Sequence, residues 1–91
     1  MADWIDEDTA KAVAVLATAT IRMLGREAPV VAALQRLLQE RSRAAYDAAC
    51  VTFDAIDPIT RGRIALTAPV IARRRPKRIS LPGLLGAINR R

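Results

Sequence analysis

The chain has 91 residues, enough for one domain, and a domain of this size buries only about 60 to 65% of its unfolded surface. It carries 15 basic and nine acidic side chains, one cysteine and no histidine. These counts exclude an intrachain disulfide and remove the commonest general base and metal ligand, while the net charge of +6 points to anionic partners.

Charge is divided along the chain. Residues 1–57 hold nine acids and six bases, a balance of −3, whereas residues 58–91 hold nine bases and no acid, a balance of +9. That split predicts an acidic helical body, residues 1–72, followed by a basic arm, residues 73–91. The hydrophobic class reaches 52%, but much of it is alanine, and the aromatics are Trp4, Tyr46 and Phe53 alone. Alanine favours helix yet buries little area, so the core is expected to be thin and a homo-oligomer to be the remedy.

The first helix is expected from near Asp3, as cap, to Gly25, with Asp6, Glu7 and Asp8 in or near the positive end of its dipole. Ile5, Val13, Leu16, Ala17, Thr20, Ile21 and Leu24 recur at steps of three and four and predict its buried stripe. Met23 reads as a core gap-filler, and Trp4 as the residue that closes the end of the bundle, with anchoring of a partner as its alternative. The apolar run from Ala12 to Ile21 is half of a bilayer span, and the acidic N-terminus is unlike a targeting peptide. A cytoplasmic location is expected.

Residues 25–28 make a connection short enough to send the chain back as an αα-hairpin. Pro29 opens the longest periodic pattern, which runs to Ile56 and predicts a rod of roughly 40 Å around which the rest is organised. The polar run from Gln39 to Arg43 reads as a solvated face of that rod, with a break into two helices as the alternative. Asp57 and Pro58 then start a third helix through Ile59, Ile64, Leu66, Val70 and Ile71, weakened at Gly62 and kinked or ended at Pro69.

Arg73, Arg74, Arg75, Lys77 and Arg78 place five cations in six positions around Pro76, a stretch expected to be extended. Ser80 can cap a short last helix in which Leu81, Leu84, Leu85 and Ile88 share one face, with Arg90 and Arg91 at its favoured cationic end. A lone helix of this length is unstable in water and must dock on something. The fold class expected is therefore all-α, a helical hairpin or small three-helix bundle with a basic C-terminal arm ending in a short amphipathic helix.

No reaction can be assigned. Cys50, between Ala49 and Val51, reads as a small buried hydrophobe, Ser42 and Ser80 have no base at hand, and the four glycines form no phosphate loop. Asp47, Asp54 and Asp57 read as solvated carboxylates, and the N-terminal acids lack the ordered spacing of a cation loop. No cofactor or metal is expected. The reading is a non-enzymatic assembly or adaptor subunit that binds an acidic or grooved partner protein. Leu81, Leu84, Leu85 and Ile88 would be its anchors, and Arg73, Arg74, Arg75, Lys77, Arg78, Arg90 and Arg91 would meet the partner's acids. The alternative is a nucleic-acid-binding accessory protein, with DNA or RNA held through phosphate contacts of the same arginines. A helix-turn-helix in which Thr60, Arg61, Arg63 and Thr67 face a groove is a weaker variant of it. Two further uses of the arm are a membrane surface, for which five apolar side chains make a weak anchor, and a fold back onto the acidic body.

Overall fold

A computed structural model describes residues 4–67 and 80–89. The described residues form five helices and no strand: α1 (Glu7–Leu24), α2 (Pro29–Glu40), α3 (Arg43–Asp54), α4 (Pro58–Thr67) and α5 (Leu81–Asn89). α1 lies at the centre, packed against α2, α4 and α5, while α3 packs on α2 and α5. Residues 29–56 are therefore not the organising element.

α1 can be central because about half of its circumference is apolar or small. Ala10, Ala12, Val13, Leu16, Ala17, Ala19 and Thr20 are all buried, and four alanines let neighbouring helices approach closely. Thr20 is polar and fully buried, and its hydroxyl is satisfied by donating to the Leu16 carbonyl at 2.8 Å. The helix starts later than expected. Its cap is Asp6, whose carboxylate accepts from the Thr9 N–H at 2.7 Å, and Asp3 lies outside the described residues. Ile5 precedes the helix but still reaches the core. Gly25 ends α1 at φ 88°, a conformation that suits glycine, and its N–H bonds the Ile21 carbonyl at 2.8 Å.

The expected rod is two helices. Arg41 takes the left-handed conformation (φ 49°), its N–H bonded to the Leu37 carbonyl at 2.8 Å, and Ser42 caps α3 by accepting from the Ala45 N–H at 3.1 Å. The break is tied from outside: the Trp4 N–H donates to the Arg41 carbonyl at 2.8 Å, and the Arg41 guanidinium pairs with Glu7 at 3.0 Å. Folding back packs α3 on α2, so that Ala45, Ala49 and Phe53 of α3 join Val30, Val31, Leu34 and Leu37 of α2, which also packs on α1, in one core. The longest extent is consequently 36 Å.

The last helix belongs to the same core. Leu81 and Leu84 are fully buried, Leu85 is nearly so, and Ile88 packs partly buried against them. Ser80 caps this helix, its Oγ accepting from the Gly83 N–H at 3.3 Å and its carbonyl from the Leu84 N–H at 2.9 Å. This corrects the division into body and separate arm, since α5 joins the body. The boundary at residue 72 and the interruption at Pro69 lie outside the described residues.

Met23 is 37% exposed and not core: it shares the helical phase of Leu16, but it lies in the last turn of α1, beyond Thr20, the last buried residue of that helix. Trp4 is 54% exposed and does not seal the bundle; Ile5 does that, while the Trp4 ring lies 5.4 Å from the Arg43 guanidinium.

Burial separates the leucines sharply. Leu84→Ala removes a fully buried side chain and is expected to cost about 2 to 5 kcal/mol in urea unfolding, whereas Leu66→Ala, at a position 71% exposed, should stay within about 0.5 kcal/mol. Gly86 has open space where a Cβ would sit, so Gly86→Ala should stabilise by about 0.5 to 1 kcal/mol. Equal, small effects of both leucine substitutions would mean that α5 does not pack as described.

Candidate interaction surface

Of the residues expected to meet a partner, Arg73, Arg74, Arg75, Lys77, Arg78, Arg90 and Arg91 lie outside the described residues. The proposed anchors are inside the molecule. Leu81, Leu84 and Leu85 face α1 and α3, so the stripe that sequence assigns to a partner's groove is occupied by the chain's own core. The physical reason is the one that demanded docking in the first place: a nine-residue amphipathic helix takes the nearest apolar surface, and α1 supplies it.

The groove-facing set on α4 also comes apart. Asp57 caps the helix, accepting from the Thr60 N–H at 2.9 Å and the Thr60 hydroxyl at 2.7 Å, which turns Thr60 back to the helix start. Arg61 lies along the protein, 20% exposed, with its guanidinium 3.7 Å from Asp54. The Thr67 hydroxyl donates to the Arg63 carbonyl at 2.9 Å. Of the four, Arg63 alone is exposed, and the others are half-buried. One cation is too little for a recognition helix.

What α4 does present is a different stripe. Ile64 and Ala65 are buried against α1, and on the opposite side Ile59 and Leu66 are each 71% exposed with Arg63 between them along the helix. Arg63 makes no ion pair among the described residues. On the neighbouring α3, Val51 is 72% exposed between Asp47 and Asp54. Single bare hydrophobes are ordinary, but the three most exposed large apolar side chains among the described residues lie on consecutive helices joined by three residues. Sequence reasoning placed Ile59, Ile64 and Leu66 on one helix without separating its faces. The signal was present, since Ile59 and Leu66 are seven apart while Ile64 falls on the far side of the wheel.

The remaining chemistry is quiet. Cys50 is partly buried, and desolvation together with the charge of Asp54 pushes its thiol up from the ordinary value of 9.0, which disfavours the thiolate. Tyr46, one turn earlier, is likewise raised, mainly by burial and then by Cys50. Trp4, Ile5, Asp6, Thr9 and Tyr46 line a shallow open depression. Among the described residues no three Cys, Asp or Glu side chains converge as metal ligands, and no helix is long and apolar enough to cross a membrane. No protein-family model, characterised protein or solved structure is detectably similar to the chain.

The cap that sets the direction of α4 is sensitive to acid. Hydrogen bonds from Thr60 hold the Asp57 carboxyl below its ordinary value of 3.8, and Thr9 does the same for Asp6. Because the folded state binds its proton less readily than the unfolded state, the contribution is fully present above about pH 4 and is lost as pH falls through the lower folded value. Asp57→Asn keeps a capping oxygen but cannot titrate. Thermal melts between pH 2 and 6 are expected to show a shallower acid loss for this variant than for the parent, and parallel curves would contradict the assignment.

Proposed function

We propose that the protein is a non-enzymatic accessory protein that binds nucleic acid through phosphate contacts of the basic run Arg73, Arg74, Arg75, Lys77 and Arg78. The observation that carries this reading over adaptor docking is the burial of Leu81, Leu84 and Leu85. An arm that docks in a partner's groove needs an apolar anchor as well as charge, and here the anchor is committed to the core. What is left of the arm's two features is charge: residues 58–91 hold nine cations and no acid. A dense cationic run binds polyanions by releasing condensed counterions, and it does so without reading bases. Phe, Tyr and Trp are absent from the same stretch, so stacking on single strands contributes nothing. Duplexes are the favoured class.

α4 does not add sequence recognition, since Thr60 and Arg61 are engaged within the chain. Selectivity, in this reading, comes from whatever else is assembled on the same duplex.

Fluorescence anisotropy with two unrelated duplexes should give affinities within about three-fold of each other, with a log–log salt slope of about −4 to −5 for five phosphate contacts. Reversing Arg73, Arg74 and Arg75 to glutamate should weaken binding at least about ten-fold while leaving the thermal melt unchanged. A preference for one duplex that persists at high salt, or no binding at low salt, would contradict the proposal.

A further inference from the structure

We propose that the outer faces of α3 and α4 form the interface of a two-fold homodimer in which α3 of each copy packs on α4 of the other. The occupant is identified by the complementarity of the two faces. α3 presents Asp47, Val51 and Asp54, an acid, an apolar residue and an acid at i, i+4 and i+7. α4 presents Ile59, Arg63 and Leu66, an apolar residue, a cation and an apolar residue at the same spacing.

The spacing lets the faces interlock. Ile59 and Leu66 stand about 10 Å apart along α4, as Asp47 and Asp54 do along α3. Val51 from a second copy can enter the gap between Ile59 and Leu66, beside Gly62, where, apart from its neighbours Arg61 and Arg63 and the helix's own backbone, no atom of the described residues lies within 4 Å of the place a Cβ would take. Arg63, flanking the gap on the other side, then has Asp47 and Asp54 within reach of its long side chain in either direction.

Neither acid is strongly engaged at home. Asp47 lies 3.8 Å from Arg43, with both side chains largely exposed, and Asp54 lies 3.7 Å from Arg61 with its own side chain 57% exposed. The opposite pairing, α4 on α4, would bring Arg63 against its own copy and is disfavoured by like charge. A two-fold axis that sets α3 of one copy on α4 of the other generates the reciprocal contact by symmetry and closes the assembly. The faces are small, so a dissociation constant of about 10 to 100 µM is expected rather than an obligate dimer. The inference is independent of what the basic run binds.

The test is sedimentation velocity on the full chain from about 1 to 300 µM, a range that brackets the expected constant. The wild-type mass should rise from 9.9 kDa towards twice that value and no further. I59S/L66S, V51K and R63E alter exposed side chains, so their circular dichroism and melts should match the parent while each weakens dimerisation at least ten-fold. A wild-type chain that stays monomeric throughout, masses that grow beyond the dimer, or a dimer indifferent to all three variants would each overturn the proposal. A monomer that instead captures a different protein on this face would also overturn it.

Discussion

Everything in this fold depends on α1 having a buried half-circumference made mostly of small side chains. Ala10, Ala12, Ala17 and Ala19 allow α2, α4 and α5 to pack on one helix, and Val13 and Leu16 supply the larger apolar contacts. A thin, alanine-rich core is a weak one when only two helices share it. Five helices sharing one core recover enough burial to leave Phe53, Leu34, Leu37, Ile64, Leu81 and Leu84 essentially without solvent contact. The expectation of oligomerisation rested on a bare hairpin. With five helices packed together, that argument no longer applies, and any self-association has to be argued from the outer faces.

Two consequences follow for function. Closing α5 onto α1 and α3 removes the leucine stripe from the surface, and it also fixes both neighbours of the basic run, α4 ending at Thr67 and α5 beginning at Leu81. In the proposed reading, the nucleic acid is met by a segment whose flanking helices belong to one packed body. Residues 1–57 carry −3 and residues 58–91 carry +9, but Arg61 and Arg63 of α4 belong to the packed body, so the division of charge along the chain does not coincide with a division between body and arm.

Much of the helix punctuation was legible from residues whose conformational limits are strong. Gly25, Pro29, Asp57 with Pro58, and Ser80 with Pro82 each mark an end or a start that the structure keeps. The break at Arg41 and Ser42 was harder to read because it combines an ordinary capping serine with an arginine in a left-handed conformation, which local preference does not favour. Its cause is tertiary, a hydrogen bond from Trp4 and an ion pair from Glu7, both distant in sequence. The same holds for α5. Periodicity showed that Leu81, Leu84, Leu85 and Ile88 must be covered, but periodicity carries no information on whether the cover is intramolecular. Ile59 and Leu66 illustrate the converse, apolar residues that helical phase alone could have set apart from Ile64.

The central claim is that α5 is an integral part of the core, and native-state hydrogen exchange across the full chain tests it most directly. Amides in the α5 interior, Leu85 to Ile88, should exchange through the same opening as those of α1 around Leu16, with protection approaching that of global unfolding. Exchange of the α5 amides at the rate of an unstructured peptide, while α1 stays protected, would contradict the account and return the leucine stripe to the surface.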